Sequence, residues 1–192
     1  MGKGMAVTAI TVMIVALAGC GGGSGGGAVG VVNPSGNPPI VAAFNPSGSV
    51  AGPEVVQLGG TAAGNQVNLS VDVGSPVSAD VRSFSFDLLI GDPSVVSYVA
   101  GSATVGSGWT DPGNVTVQVS QQGDRIIIGV ARLGGGAGFP GGEVVDLMLE
   151  LGTAGASTVG FAPSPAPVAL DGSAQPVTSV QFDATSATVQ GS

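Results

Sequence analysis

Cysteine and carboxylate side chains are the groups in this chain whose types could do chemistry. The 192-residue sequence contains one Cys, twelve Asp and Glu residues together, and no His. Without His there is no Ser–His–Asp triad and no imidazole base or metal ligand. A single Cys allows neither an intramolecular disulfide nor a four-cysteine zinc site. Because no residue cluster supplies a nucleophile with its base, we predict no catalytic residues and no enzyme.

The carboxylates are dispersed along the chain. Asp92, Asp111, Asp124 and Asp171 each stand in a turn-forming segment, where the side-chain oxygens either cap the turn or contribute to a Ca²⁺ site. None shows the dense Asp spacing of a dedicated Ca²⁺ loop, so we favour turn capping and predict no metal site. The formal net charge of −8, with only four Lys and Arg residues, excludes the clustered cations that nucleic-acid binding requires.

The one cysteine, Cys20, closes an N-terminal segment typical of exported proteins. Lys3 precedes a charge-free apolar run from Met5 to Ala18, which is shorter than the ~20 residues of a membrane-spanning helix. The run ends in Leu17-Ala18-Gly19-Cys20, which resembles the bacterial lipobox and implies cleavage before Cys20 and lipidation of its thiol. Gly21 follows where the usual inner-membrane retention signal is Asp, so the resemblance implies a lipoprotein of the outer membrane or cell surface.

The rest of the chain divides into a tether and a domain. Residues 20–53 are rich in Gly and Pro and carry no charge, which is the composition of a flexible linker. The charge-free residues 38–50 are also suited to pack weakly on the domain. We therefore predict a lipoprotein signal peptide over 1–19, a tether over 20–53 and a folded domain over 54–192.

Alternation of apolar and polar residues predicts that the domain is all-β. The alternation is clearest in Gln66–Val73, Val81–Ile90 and Glu143–Leu151, where it has the period of strands with one buried face. Arg125–Leu133 is almost continuously apolar, which predicts a central strand buried on both faces. With Gly-, Pro- and Asp-rich turns between them, about nine strands predict a two-sheet β-sandwich with jelly-roll topology.

An apolar strand that closes in an Asp-Pro turn is the most specific motif of the domain. It reads Phe84-Ser-Phe-Asp-Leu-Leu-Ile-Gly-Asp92-Pro93-Ser-Val-Val96, and a later strand reads Gly141-Gly-Glu-Val-Val-Asp-Leu-Met-Leu-Glu-Leu151. Over about residues 54–190 this order of segments resembles a cohesin domain, the scaffoldin module that binds dockerins. Ile90-Gly91 stands where that family usually has one aromatic residue, which predicts a one-residue bulge.

Cohesins bind dockerin helices with one flat sheet face, so the resemblance implies a docking face here. It places partner-binding residues on the outward row of the strand before the Asp-Pro turn and at the end of the central strand. These residues are Ser83, Ser85, Asp87, Leu89, Arg132 and Leu133. The serines and Asp87 equally fit an ordinary solvated face, whereas exposed Leu89 and Leu133 would fit the apolar centre of an interface. The resemblance implies no cofactor on this chain and places Ca²⁺ on the dockerin partner.

Three functions of different classes fit the sequence. The leading one is a surface-anchored, non-catalytic module that recognises a dockerin-bearing protein in a polysaccharide-degrading or envelope assembly. The second is a carbohydrate-binding lipoprotein of similar fold, which would stack a polysaccharide on Trp109 and Tyr98. A lone Trp beside a Gly-rich turn, however, is more typical of a core or loop anchor. The third is a structural role in envelope assembly.

Overall fold

The computed structural model describes residues 39–46 and 52–192, which form strands and one 3-10 turn. The predicted signal peptide, Cys20 and most of the predicted tether lie outside the described residues. The strands are β1 (Ala42–Asn45), β2 (Val55–Ala63), β3 (Gln66–Val73), β4 (Val81–Ile90), β5 (Val96–Tyr98), β6 (Thr104–Val105), β7 (Val115–Gln122), β8 (Arg125–Arg132), β9 (Gly142–Leu151), β10 (Gly155–Phe161), β11 (Val168–Asp171), β12 (Gln181–Phe182) and β13 (Ala187–Gly191). The described part of the chain contains no helix that is long and apolar enough to cross a membrane.

The strands form two sheets. Sheet A has the order β1-β13-β10-β4-β8-β7, with β11 also paired to β4, and sheet B has the order β12-β2-β3-β9-β5, with β6 paired to β9. The central pairs β4–β8 and β3–β9 are antiparallel, and β12 joins β2 in parallel. The predicted all-β class and two-sheet jelly-roll sandwich are confirmed.

Residues 39–46 and 52–192 form thirteen strands rather than the predicted nine or so, because several ladders are completed by short strands. β4 pairs with β10 near Ile90 and with β11 near Ser83, and β9 pairs with β5 and β6 in the same way. Of these strands, β6 and β11 have only two and four residues and contain too few alternating positions to be recognised in a sequence.

The first strand comes from residues that the sequence assigns to the tether. β1 pairs with β13, and the backbones of Val41 and Ser192 exchange hydrogen bonds of 3.1 and 3.3 Å. Phe44 packs over Gly60, where an added Cβ would lie 3.1 Å from the Phe44 ring. Part of the charge-free stretch upstream of residue 54 therefore packs on the domain as a strand.

Strand alternation directs the large apolar side chains between the sheets. One end of this core is an aromatic cluster in which the Phe84 ring stands edge-on to Trp109 at 6.2 Å and to Phe139 at 5.4 Å between centroids. Phe139 belongs to the Gly-rich connection between β8 and β9 and is 1% exposed. The connection is therefore anchored to the core at Phe139, although its composition predicts a flexible crossover.

The predicted bulge at Ile90-Gly91 is wrong. β4 keeps a regular register with β8 through Leu89 and with β10 through Ile90. Register shifts occur instead at Leu170/Asp171 and at Val71/Asp72. Gly91 lies so close to β10 that an added Cβ would come within 2.5 Å of the Thr158 hydroxyl oxygen, so glycine here permits a close strand contact.

We expect Trp109→Ala to lower the free energy of unfolding by about 3–5 kcal/mol. The indole is 3% exposed, and its Nε1–H donates to the Val144 carbonyl oxygen at 3.0 Å. Val41→Ala, at a residue that is 56% exposed, is the control and should stay within about 0.5 kcal/mol of wild type. Urea unfolding followed by far-UV circular dichroism measures both, and equal stability of the two variants would contradict the packing described here.

Candidate binding face

The outer surface of sheet A is organised by the pairing of β7, β8 and β4. Residues directly opposite one another in an antiparallel sheet point to the same side. Across the three strands the outward rows are Thr116–Ala131–Ser83, Gln118–Gly129–Ser85, Ser120–Ile127–Asp87 and Gln122–Arg125–Leu89. We call these four rows, together with Leu133 at the end of β8, face A.

Three residues of the predicted β4 row lie on face A with part of their surface open. Ser85 is exposed, whereas Ser83 and Leu89 are half-buried. The intervening Phe84 and Phe86 are 1% and 2% exposed and belong to the core. The alternation of β4 therefore separates the two sets of side chains as the sequence predicts, but Leu89 contributes less apolar surface than expected.

Asp87, the fourth residue of that row, is covered by an ion pair. Its Oδ2 lies 3.1 Å from Nη1 of Arg125, which also donates to the Ser164 carbonyl oxygen at 2.7 Å. The residue is consequently only 8% exposed. Asp87 thus lies on the predicted side of the sheet, but its charge is neutralised within the chain.

Arg132 lies beside the Ser83–Ala131 end of face A, where it lines a cavity with these two residues, and it holds the Gly-rich connection. Its side chain is 5% exposed, with Nη2 at 3.7 Å from the Asp111 carboxylate and Nη1 donating to the Ala137 carbonyl oxygen at 2.9 Å. An added Cβ at Gly136 would come within 2.5 Å of Nη2, so the loop closes tightly over the guanidinium group. Leu133, the next residue, is 59% exposed and continues the outward side of β8.

β8 is buried on one face only, which corrects the prediction of two buried faces. Ile126, Ile128 and Val130 are at most 1% exposed, whereas Ile127 is 36% exposed. The almost continuous apolar run conceals this alternation, so sequence reasoning missed Ile127, Gly129 and Ala131 as surface residues. The available signal was size, because Gly129 and Ala131 are small where the inward residues are large.

The outward residues of β8 after Arg125, together with Leu133 directly after the strand, form an apolar strip along the middle of face A. The strip consists of Ile127, Gly129, Ala131 and Leu133, and serine, threonine and glutamine residues of β4 and β7 border it. Ile127 and Leu133 are two of the three large apolar residues that the structure exposes within the described ranges, the third being Val41. Exposed apolar surface is therefore concentrated on this strip.

A groove of about 400 Å³ crosses the strip at Gly129. It is lined by Ser85, Gln118, Val119, Ser120, Ile127, Ile128 and Gly129, none of which is ionisable. Gly129 leaves the space open because an added Cβ would meet no heavy atom within 4 Å.

The outer face of sheet B is acidic by contrast. Asp72 pairs with Glu143, and Ser70 pairs with Asp146 on the neighbouring strand. Burial raises the pKa of Asp146 to about 7, and the hydrogen bond and charge of the adjacent Glu143 carboxyl group add to the rise. The backbone N–H of Ser107 donates to Glu143 at 3.0 Å and lowers its pKa. The described arginines all lie in β4 and β8 of sheet A.

Turn aspartates behave as predicted where their contacts are seen. Asp92 Oδ1 accepts hydrogen bonds from the Ser94 N–H at 2.9 Å and from its hydroxyl at 2.6 Å. Asp171 Oδ1 accepts from the N–H groups of Ser173 and Gln175. Over residues 39–46 and 52–192, no group of three or more His, Cys, Asp and Glu side chains could hold a metal ion.

The aromatic residues of the carbohydrate alternative do not form an exposed platform. Trp109 is 3% exposed and packs against Phe139 at 4.7 Å between ring centroids. Tyr98 is half-buried. Because a buried indole cannot stack on a sugar, the carbohydrate-binding hypothesis loses the residue on which it depended.

Known proteins resemble this chain in structure but not in sequence. No protein-family model matches the chain, and no curated protein sequence matches it significantly. The structure is similar to a type II cohesin dyad from the adaptor ScaA scaffoldin of Acetivibrio cellulolyticus, with a TM-score of 0.56 and 12% identity over 70% of this chain and 47% of that chain. The chain thus spans about half of that two-module structure.

Two further solved structures give the same result. A type II cohesin domain from the Acetivibrio cellulolyticus cellulosome matches with a TM-score of 0.54 and 13% identity over 70% of this chain and 92% of its own. An N-terminal interface mutant of a type II cohesin–X–dockerin complex from the same bacterium matches with a TM-score of 0.51 and 11% identity, over 67% of this chain and 92% of that chain. The described domain therefore has the fold of a cohesin module, as the resemblance in sequence implies.

We expect the stability of the protein to fall as the pH rises from 5 to 8. The pKa of Asp146 is about 7 in the folded state, against an ordinary value of 3.8, so the folded state binds more protons than the unfolded state between these values. The stabilising contribution of this proton is complete below pH 3.8 and is lost as the pH approaches 7. The chain has no His to obscure this window.

Urea unfolding at pH 5, 6, 7 and 8 tests this expectation. Asp146→Asn should remove most of the slope, because the amide does not titrate. Asp124→Asn, at an exposed turn residue, is the control and should retain the slope. A wild-type protein whose stability is constant or rises across this range would contradict the assignment.

Proposed function

We propose that this chain is a surface-anchored, non-catalytic binding module whose face A docks a dockerin-bearing protein. The observation that carries the proposal is the apolar strip of β8, which lies at the centre of a polar-bordered sheet face in a domain with the cohesin fold. Structures of similar fold include one described as a cohesin–X–dockerin complex. That partner class is what we propose for this chain.

The distribution of side chains on face A supports protein docking. Protein interfaces have a core depleted in charge and a polar rim. Here Ile127, Ala131 and Leu133 supply the apolar centre, and short residues such as Ser83 and Ser85 border it without rising far above the sheet. Such a low surface suits the side of a helix, which is the element that dockerins present.

The charge distribution of face A also favours protein docking. Asp87 and Arg125 are the charged residues in its four rows, and they pair with each other at 3.1 Å. Burial of an unpaired charge beneath a partner would be costly, and this pairing avoids that cost. The acidic outer surface of sheet B contains no comparable apolar strip among its described residues, so we assign docking to sheet A.

Anchoring completes the proposal. We propose that Cys20 is lipidated and that residues 20–38 connect it to the domain, which places face A outside the cell on the outer membrane or cell surface. Two or three acyl chains give durable anchoring where one does not. The domain would then bind its partner in a polysaccharide-degrading or envelope assembly without itself catalysing a reaction, which agrees with the absence of His.

Ile127→Asp should weaken binding of a dockerin by about 30-fold or more, the effect of losing an interface hot spot. The change places an unpaired charge at the centre of the apolar strip. Thr61→Asp, at an exposed residue of β2 in sheet B, adds the same charge elsewhere and should leave the affinity unchanged. Isothermal titration with the Ca²⁺-loaded dockerin modules of the source genome measures both, and EDTA should abolish the signal. If the wild-type chain binds none of these dockerins, the proposal is wrong.

Cys20→Ala should abolish incorporation of radiolabelled palmitate, because the proposed acylation site is the only thiol of the chain. The wild-type chain expressed in a bacterial host should be labelled and should fractionate with membranes. Ser24→Ala, in the same Gly-rich segment, is the matched control and should be labelled normally. Equal labelling of wild type and Cys20→Ala would refute the lipoprotein assignment.

A further inference from the structure

We infer that the groove at Gly129 is a socket for one large apolar side chain of the docked partner, and that Gly129 determines which partners fit. The inference rests on the proposed docking function of face A and specifies the contact that would give it selectivity. It is carried by a strand glycine that neither the fold nor the backbone conformation requires.

The other glycines that lie inside the described strands have a local reason to be glycine, either a close contact or a positive φ, and Gly129 does not. At Gly160 an added Cβ would come within 2.4 Å of the Ser186 hydroxyl oxygen, whereas at Gly129 it would meet nothing within 4 Å. Gly129 is also not among the residues with positive φ. A glycine in a strand interior weakens the strand and often marks the close approach of a ligand. Its position at the middle of a central strand therefore points to a use outside the chain.

The residues around Gly129 form an open, shallow depression. Ile127 and Ala131 lie before and after it on the same side of β8, and Gln118 and Ser85 face it from β7 and β4. Ile127, Gln118 and Ser85 thus border an open groove of about 400 Å³. A side chain that projects from a partner helix would enter this depression and contact the Ile127 side chain along its wall.

The chemistry of the groove selects an uncharged occupant. No ionisable residue lines it, and the nearby Asp87 carboxylate is already paired with Arg125 and has only 11% of its side chain exposed. A charged side chain placed there would lose hydration without gaining an ion pair. An aliphatic or aromatic side chain loses little hydration energy and gains contact with the apolar strip. The Ser and Gln side chains at the rim of the groove can form hydrogen bonds with the partner beside that side chain.

A size series at residue 129 tests the socket in the full chain. Gly129→Ala, Gly129→Val and Gly129→Leu should bind a Ca²⁺-loaded dockerin progressively less tightly, with a loss of about 30-fold or more for Val and Leu. Their thermal stability should equal or exceed that of wild type, because the added atoms enter open space and Val favours strands. Gly152→Val, which also adds a side chain into open space at an exposed turn, should bind like wild type.

The partner provides the complementary variant. Each exposed apolar residue on the dockerin helices is changed to Ala in turn. One of these dockerin variants should bind the wild-type chain weakly. The same variant should bind Gly129→Leu with little or no further loss of affinity, because its large side chain is already absent. If Gly129→Leu binds as tightly as wild type while Ile127→Asp does not, the socket is wrong and face A stands. If wild type binds no dockerin, or if face A is covered by a second copy in a stable dimer, the proposed function fails and the socket with it.

Discussion

The antiparallel register between β4 and β8 is the constraint on which both the core and the binding face depend. Its Cα partners run from Ser83 opposite Ala131 to Leu89 opposite Arg125. This register sends Phe84 and its alternate neighbours into the sandwich and leaves the serines outside. Because strand side chains alternate with period two, a slip of one residue would bury the polar row and expose the phenylalanines. The register that buries the core therefore also determines which residues of β4 and β8 lie on face A.

The charged groups of sheet A reinforce this arrangement. Arg82 pairs with Asp80 at 2.7 Å, Arg125 pairs with Asp87 at 3.1 Å, and Arg132 holds the Gly-rich connection beside Asp111. In an acidic chain with few bases, these internal partners leave the middle of face A without unpaired charge. The acidic surface of sheet B repels anions and has no apolar strip among the described residues. The asymmetry between the two sheets is what makes one of them suited to docking.

The sequence predicts the parts of this structure that local periodicity determines. The bounds of β3 and β4 coincide with the alternating segments Gln66–Val73 and Val81–Ile90. The Asp92 carboxylate also accepts the turn hydrogen bond from the Ser94 N–H, as predicted. β1 has no such pattern, because its stability comes from pairing with β13 far along the chain. The orientation of Arg132 was equally unpredictable, since it depends on where a glycine-rich loop closes. The almost continuous apolar run of β8 hides its exposed face, which only the small size of Gly129 and Ala131 indicates, because exposure depends on the sheet that packs behind the strand.

Chemical-shift mapping shows directly whether face A contacts the partner. The ¹⁵N- and methyl-labelled protein is titrated with a Ca²⁺-loaded dockerin from the same genome, and shift changes are mapped onto the two sheets. We expect the largest changes on Ile127, Gly129 and Ala131 of β8 and on the facing residues Ser85 and Gln118. Changes centred on sheet B around Asn68 and Asp146, with face A unaffected, would contradict it.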